Sequence, residues 1–191
     1  LSGAAASASL SDRLAAWPAA QRLSNWAGNL EYSTSVVLEP KSLDELRTLV
    51  KAQRNLRALG TRHCFNKIAD SRAALLTLKS MPEEVSINAA AKTVTVNAGI
   101  TYGRLAQELD AKGFALHNLA SLPHISVAGA CSTGTHGSGE GNRNLSGAVA
   151  GIEMVTANGE IVRMSRQQDG TTFRGAVVSL GALGVMIRVT L

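Results

Sequence analysis

The sequence predicts an α+β fold with two lobes, a small parallel βαβ lobe followed by a larger, mainly antiparallel lobe with helices. A short apolar run at 36–38 and a predicted strand at 55–59 flank an amphipathic segment at 42–53 and indicate the first lobe. Paired apolar runs at 85–96 and at 152–164 indicate antiparallel hairpins in the second lobe. No internal repeat and no linker composition divides the sequence into independent domains.

The amphipathic segment begins with a signal typical of an α-helix. Ser42 is followed three residues later by Glu45, the spacing of a capping box. In such a box the serine accepts a hydrogen bond from a backbone N–H, and the glutamate reaches back to the start of the helix. A strand, a helix and a strand in so few residues form a βαβ unit, so we expect its two strands to be parallel.

Turn and cap residues organise the second lobe. Thr101 is placed to cap a helix that ends at Gly113. Asn158-Gly159 lies between two apolar runs and is the residue pair favoured by a type I′ hairpin turn. The glycines within 179–184 then turn the chain into a final strand.

Composition and charge exclude several classes of protein. The 191 residues are 45% hydrophobic and 17% charged, and no apolar run reaches the roughly 18 residues that a membrane span needs. The net charge of +5 would suit an anionic partner, but the basic residues are scattered and the few aromatic residues form no series beside them. We therefore expect neither nucleic acid nor a membrane as a partner. Cys64 and Cys131 are too few for a disulfide framework or a zinc site, and we expect no metal.

The first residues carry a weak targeting signal. Residues 1–12 are small and mostly uncharged, and Ala6-Ser7-Ala8 resembles the cleavage site of an export signal. An alanine-rich leader explains them equally well. Localisation is therefore open between the cytoplasm and export after folding, the latter if residues 1–9 are a signal remnant. We expect a partly flexible leader or signal remnant over 1–24 and one folded domain over 25–191.

The stretch from Gly113 to Gly139 is the most unusual part of the sequence. It holds no Asp, Glu, Lys or Arg and is rich in Gly, Ser, Thr and His. Glycine lets a backbone approach a ligand closely, and N–H groups and hydroxyls can bind a diphosphate without formal positive charge. A flexible Gly/Ser linker is the alternative, but the spaced apolar residues Leu122, Ile125 and Val127 are unlike a linker.

A second loop, Gly60 to Asn66, has a similar character and follows a predicted strand. It reads Gly-Thr-Arg-His-Cys-Phe-Asn. Neither this loop nor the longer one contains the GxxxxGK[ST] pattern of P-loops or a GxGxxG between an early strand and its helix. A nicotinamide-binding Rossmann domain is therefore disfavoured. A lone histidine such as His63 is more often structural than functional, so the loop alone does not identify a chemistry.

Together these segments resemble the FAD-binding (PCMH-type) domain of the vanillyl-alcohol oxidase superfamily. Within that superfamily the likeness is strongest to the alditol (xylitol or sorbitol) oxidases, with sugar-lactone oxidases as near relatives. The resemblance covers residues 25–191, and it is carried by four segments whose combination is specific: Asn25–Asn29, Gly60–Asn66, Ser121–Gly139 and Ser179–Val185. It implies the two-lobed fold of that FAD-binding domain.

The resemblance also implies where the cofactor lies. His63 corresponds to the histidine that carries FAD covalently through the flavin 8α-methyl group, and Arg62 stands where the family often has a small residue. Ser121 is expected beside the flavin and the substrate. Other cofactor contacts are implied at Gly60, Thr61, Arg62, Cys64, Ser121, Ser126, Gly129, Thr133, Gly134, Thr135, His136 and Val185. Cys131 does not correspond to a second attachment point, so one covalent bond is expected. His124 and His136 are open between flavin neighbours and structural hydrogen-bonding residues.

The activity implied is that of an FAD-dependent oxidase that uses dioxygen and releases hydrogen peroxide. The expected substrate is a polyol such as xylitol or sorbitol, oxidised at its primary alcohol. Four alternatives stay open: a sugar-1,4-lactone oxidase, a flavin-binding subunit that passes electrons to a partner, a non-covalent flavin reductase of the cell-wall precursor type, and a basic interaction domain without a cofactor.

The same resemblance places part of the active site elsewhere. In the family the catalytic base belongs to a substrate domain, which is expected here after Leu191 or on a partner chain. We therefore expect residues 1–191 alone to be inactive and the complete protein to be a monomer.

Overall fold

A computed structural model describes residues 22–191 of the protein. In this part of the chain, three short parallel strands form one sheet and five antiparallel strands form another. This confirms the predicted α+β fold with a small parallel lobe and a larger antiparallel lobe with helices. The predicted leader or signal remnant lies outside the described residues, except for residues 22–24.

The small sheet consists of β1 (Val37–Leu38), β2 (Leu56–Ala58) and β3 (Ala74–Leu76). Strand β3 lies between the other two and pairs in parallel with both. Helix α1 (Leu43–Ala52) connects β1 to β2, so the predicted βαβ unit and its parallel strands are confirmed. The two strands do not pair with each other, because β3 inserts between them.

The start of α1 differs from the predicted capping box in one bond. Ser42 Oγ accepts the Glu45 N–H at 3.2 Å, as expected. The Glu45 carboxylate, however, accepts the Lys41 N–H at 2.8 Å instead of the Ser42 N–H. Ser42 is still the N-cap. Its extended backbone brings the preceding N–H within reach of the Glu45 carboxylate, so only the bond to this carboxylate comes from one residue earlier than predicted.

The large sheet has the strand order β4-β5-β8-β6-β7, with β4 (Val85–Asn88), β5 (Thr93–Asn97), β6 (Gly151–Val155), β7 (Ile161–Ser165) and β8 (Val185–Thr190). The hairpins β4–β5 and β6–β7 are both confirmed. The final strand β8 lies between them and pairs antiparallel with β5 and β6. The two hairpins are thus joined into one sheet by a strand that comes last in the described chain.

The turn of the second hairpin is not the type I′ turn that was predicted. Gly159 has a φ of 77°, but Asn158 is not in the left-handed region that type I′ also requires. The Thr156 N–H donates to the Glu160 carbonyl at 2.9 Å, and the Gly159 N–H donates to the Thr156 carbonyl at 2.8 Å. These bonds close a three-residue loop with a left-handed glycine at its end, a common alternative to the two-residue turn.

Of the three helices in the large lobe, one was predicted. Helix α2 (Tyr102–Asp110) is capped by Thr101, whose Oγ1 accepts the Arg104 N–H at 3.3 Å. Helix α3 (Val127–Ser132) lies in the glycine-rich stretch that has the composition of a loop. Helix α4 (Arg166–Val177) is mostly polar and bends at Gly170, so its sequence has little helical periodicity.

One hydrophobic core connects the two lobes. Its fully or almost fully buried side chains come from α1, β3, β5, α2, α3 and α4, and they include Leu46, Leu76, Val96, Leu105, Val127 and Phe173. A shared core fits the absence of a linker in the sequence and fixes the two sheets relative to each other. None of the helices in residues 22–191 is long and apolar enough to cross a membrane.

We expect Gly184→Ala to destabilise the protein. Gly184 precedes β8 with a φ of 156°, and a Cβ there would lie 2.5 Å from the Val155 carbonyl oxygen. Because the obstacle is the backbone of β6, the strand itself must shift, at a cost of about 1–3 kcal/mol. Thermal unfolding followed by circular dichroism should show a midpoint lower by about 2–4 °C for each kcal/mol.

Gly175→Ala is the matched control. Gly175 lies in α4, and no atom outside its own helix lies within 4 Å of a Cβ built there. Alanine is the better helix former, so this variant should be neutral or more stable by up to about 1 kcal/mol. Equal unfolding midpoints for the two variants would contradict the proposed backbone overlap at Gly184.

Candidate functional site

A cavity of about 460 Å³ lies between the two sheets. Its walls are the loops that follow β2 and β3, the residues around the start of α3, and the segment 179–186 that leads into β8. In open α/β sheets, ligands bind beyond the carboxyl ends of parallel strands. The cavity lies at that end of the small sheet, so the fold places a binding site where the two predicted glycine-containing loops meet.

The two loops approach each other at Ser126. The Ser126 N–H donates to Thr61 Oγ1 at 3.2 Å and ties the loop after β2 to the start of α3. A Cβ on Gly60 would lie 2.7 Å from Ser126 Oγ, and one on Gly129 would lie 2.6 Å from the same atom. The missing side chains at both glycines therefore allow the two loops to meet at Ser126, a role that was not predicted from the sequence.

His63 lies in an aromatic cluster formed by Trp26, His63 and His124. The rings of Trp26 and His63 are stacked, with centroids 4.9 Å apart and 23° between their planes. His63 Nε2 lies 2.9 Å from His124 Nε2, and His63 Nδ1 lies 3.2 Å from Thr61 Oγ1. All three rings line the cavity, so the position and tilt of the His63 imidazole are fixed on several sides.

A segment before β1 holds the loop that carries His63. The buried Asn25 side chain donates to the Cys64 carbonyl at 3.1 Å and accepts the Leu30 N–H at 3.1 Å. The Trp26 N–H donates to the Arg62 carbonyl at 2.8 Å. These bonds explain why the Asn25–Asn29 motif accompanies the Gly60 loop in the sequence, although 30 or more residues separate them.

Arg62 has a backbone conformation that glycine adopts more easily. Its φ is 64°, in the left-handed region that costs an L residue about 1–2 kcal/mol. Its guanidinium donates to the Ser24 carbonyl at 2.9 Å. This additional bond to the preceding segment offsets part of the backbone cost. Because glycine alone has no Cβ, the left-handed backbone gives a physical reason for a glycine at this position.

The cavity keeps His63 in its neutral form. Partial burial lowers the pKa of His63, and the neighbouring His124 ring and Arg62 lower this pKa further. A neutral imidazole retains one ring nitrogen with a free lone pair, which a nucleophile requires. Burial raises the pKa of the Cys64 thiol, so Cys64 lines the cavity as a protonated, weakly polar side chain.

The wall formed by α3 and the residues after it is rich in hydroxyl groups. Ser126, Ser132, Thr133 and Thr135 line the cavity. Thr133 Oγ1 donates to the Gly129 carbonyl at 3.0 Å and so leaves its oxygen able to accept. The basic residues Arg57, Arg62 and Lys79 also line the cavity, and Lys79 pairs with Glu39 at 2.8 Å. Neutral donors and positive charge together suit a diphosphate.

Most of the predicted cofactor contacts come together in this cavity. Those that line it are Gly60, Thr61, Arg62, His63, Cys64, Ser126, Gly129, Thr133, Thr135 and Val185. Ser121, Gly134 and His136 are not part of its lining: Ser121 is exposed in the loop before His124, and His136 Nδ1 bonds the Gly137 carbonyl at 3.1 Å. All these cofactor contacts stay predictions. His124, whose role was open in the sequence, lines the cavity and forms a hydrogen bond with His63.

Cys131 lies away from the cavity. Its side chain is fully buried, with Sγ 3.5 Å from the Tyr102 hydroxyl, and burial raises its pKa to about 11. The expectation of one covalent flavin bond is therefore compatible with its position, and it stays a prediction.

Four further residues line the cavity and were not predicted from the sequence: Trp26, Tyr32, Arg57 and Lys79. Tyr32 is informative because its buried hydroxyl has no hydrogen-bond partner among residues 22–191. A buried polar atom without a partner is costly and is commonly satisfied by a bound group or water. With this unpartnered hydroxyl and the hydroxyl-rich wall of the cavity, the residues present fit a large polar cofactor such as FAD.

Comparison with known proteins also indicates an FAD-binding domain. The family model described as "FAD binding domain" matches residues 34–165. Alditol oxidase of a Streptomyces species is 44% identical over 172 residues, which are 88% of this chain and 41% of that protein.

Relatives that act on lactones match at lower identity. The putative D-arabinono-1,4-lactone oxidase of Neurospora crassa is 34% identical over 86% of this chain and 30% of its own length. L-gulonolactone oxidase of Bos taurus is 30% identical over 89% of this chain and 40% of its own length. The chain thus spans about two fifths or less of the length of these relatives.

The family match covers more than half of the chain and includes the loop that carries His63. It confirms the resemblance to a PCMH-type FAD-binding domain and supports FAD as the cofactor. The chain therefore belongs to the FAD-binding domain family of flavin-dependent oxidases and dehydrogenases.

Proposed function

We propose that this chain is the flavin-binding part of an oxidase that converts the primary alcohol of a polyol, such as xylitol or sorbitol, and reduces dioxygen to hydrogen peroxide. The observation that carries this proposal is the 44% identity to an alditol oxidase over 88% of the chain. A substrate domain that follows this part would supply the catalytic base, and the complete protein would act as a monomer.

A sugar-1,4-lactone oxidase is the second candidate. It is supported by lactone-oxidising or lactone-dehydrogenating relatives that are 30–36% identical to the chain. These identities are lower than that of the alditol oxidase, which favours the polyol. Most of the residues that separate the two substrates would belong to the proposed substrate domain.

We further propose that FAD is attached covalently through His63. Three features support this: the ring lines the cavity, its neighbours fix its orientation, and its lowered pKa keeps it neutral. The attachment would replace one C–H bond of the flavin 8α-methyl group and the imidazole N–H bond by a C–N bond. The two hydrogens, as protons, and two electrons would pass finally to dioxygen, which would become hydrogen peroxide.

The other residues of the cavity would bind and orient the cofactor. FAD supplies the redox chemistry when bound, by accepting a hydride from the alcohol carbon. The hydroxyls of Ser126, Thr133 and Thr135, which line the cavity, would offer hydrogen bonds to it. Trp26 and His124 shield one side of His63 from water. Ser121, exposed in the loop that leads to His124, would face the substrate.

We expect His63→Ala to release all FAD when the protein is denatured. After acid precipitation, only a covalent bond keeps flavin in the pellet, so the unmodified protein should give a yellow pellet and the variant a yellow supernatant. His117→Ala is a matched control, because His117 is exposed and does not line the cavity. This control should retain its flavin.

Free FAD in the supernatant of the unmodified protein would contradict covalent attachment and favour the non-covalent flavin reductase. A pellet that stays yellow for His63→Ala would move the attachment point to another residue.

We expect the full-length protein to oxidise polyols in preference to lactones. Hydrogen peroxide production, measured with xylitol, sorbitol and an aldono-1,4-lactone, should give a kcat/KM at least about tenfold higher for a polyol, or roughly 1.4 kcal/mol. A higher value for the lactone would favour the second candidate. Substrate-reduced flavin that reacts slowly with dioxygen would instead indicate an electron-transfer subunit.

A further inference from the structure

Three basic residues line the cavity, and they differ in the partners of their charged groups. Arg62 is exposed, and its guanidinium donates to a backbone carbonyl of the segment before β1 at 2.9 Å. The Lys79 ammonium pairs with the Glu39 carboxylate at 2.8 Å. Within residues 22–191, the Arg57 guanidinium has no carboxylate partner, and its hydrogen bond to the Leu180 carbonyl is 3.5 Å long. Arg57 is thus the cation of the cavity with the weakest partner.

The surroundings of Arg57 favour an anionic ligand. The residue is half-buried, so its charge is partly removed from water. A hydrogen bond of 3.5 Å is weak and offsets little of the cost of this desolvation. An anion in the cavity would supply the missing counter-charge. Because the planar guanidinium can donate two parallel hydrogen bonds to phosphate oxygens, phosphate is the anion that fits it best.

The position of Arg57 also connects this cation to the hydroxyl-rich wall of the cavity. Its guanidinium extends from β2 to Leu180, in the segment that leads into β8. The Leu180 N–H donates to the Ser132 carbonyl at 3.2 Å, at the end of α3. Ser132 and Thr133 both line the cavity. A phosphate bound by Arg57 would therefore lie beside hydroxyl donors of the large lobe.

We propose that Arg57 binds the diphosphate of FAD, and that its charge makes the cavity favour phosphorylated ligands over riboflavin. The inference rests on FAD as the cofactor of the proposed function. It assigns a role in cofactor recognition to a residue of β2, outside the loop that carries His63.

A purely structural role for Arg57 leads to a different expectation. If the residue only held Leu180 in place, its loss would lower the stability of the protein and weaken every ligand of the cavity alike. Diphosphate binding concerns only ligands that contain phosphate. Its contribution also falls as the salt concentration rises, because ions screen the attraction between charges. ADP and adenosine separate the two roles, since they share the base and the ribose and differ only in the diphosphate.

The test measures binding to full-length protein from a riboflavin-starved host, without dioxygen, so that no covalent flavin forms. Calorimetric titrations use ADP and FAD, and the phosphate-free ligands adenosine and riboflavin. Arg57→Met should weaken ADP and FAD at least about tenfold and change the phosphate-free ligands by less than about twofold. Arg57→Lys keeps the positive charge and should retain more ADP affinity than Arg57→Met. Added salt should weaken ADP binding more in the unmodified protein than in Arg57→Met.

Arg72→Met is the matched control, because it removes the same charge from a residue that is exposed and does not line the cavity. Its ADP affinity should stay within about twofold of that of the unmodified protein. Thermal unfolding followed by circular dichroism checks the fold. The midpoint of flavin-free Arg57→Met should be close to that of the unmodified protein, because only a weak hydrogen bond is lost.

Three results would overturn the inference. They are an unchanged ADP affinity in Arg57→Met, equal losses for ADP and the phosphate-free ligands, and an equal loss in Arg72→Met. Equal losses for all ligands would instead make Arg57 a structural contact between the two lobes. A folded unmodified protein that binds neither FAD nor ADP would overturn the assignment of the cavity to FAD as well. Failure of polyol oxidation or of covalent attachment is distinct from these results, since the titrations require neither.

Discussion

The contact between the loop after β2 and the start of α3 is the constraint on which the site depends. It is possible because neither Gly60 nor Gly129 places a Cβ against the Ser126 hydroxyl, and the Thr61 hydroxyl joins the two segments. Since the shared core fixes the two sheets, this contact also sets the distance across the cavity. The meeting of His63 and His124 follows from it, because each ring lies within three residues of the contact.

Local signals in the sequence were sufficient for much of the fold. The cap of α1, the cap of α2 and both hairpins depend on residues close in sequence, and each was predicted with at most one wrong detail. The place of β8 between β5 and β6 depends on pairing across 30 or more residues, which no short motif encodes. Helices α3 and α4 were missed for a different reason. One is short and glycine-rich, and the other buries only part of a mostly polar surface.

The candidate site, unlike the fold, was predicted mainly from family resemblance and not from local sequence signals. Family resemblance supplied the loop that carries His63 and most of the residues on the α3 wall, and the cavity brings them together. The contribution of the Asn25 segment became understandable only from its hydrogen bonds to the loop. The pairing of His63 with His124, 61 positions apart, has no periodicity or composition that could reveal it. Arg62 likewise stands where the family often has a small residue, and only the structure shows that its bond to Ser24 offsets part of the cost of its left-handed backbone.

Direct identification of the flavin-bearing peptide is the decisive measurement. Trypsin cleaves after Arg62 and Lys67, so digestion of the denatured full-length protein should release the peptide His63-Cys64-Phe65-Asn66-Lys67. If the cavity holds FAD as described, this peptide carries the additional mass of one FAD, and tandem mass spectrometry locates it on the histidine. A peptide 63–67 without added mass, from protein that is fully loaded with flavin, would contradict His63 as the anchor. A purified protein without any flavin would contradict the assignment of the cavity itself.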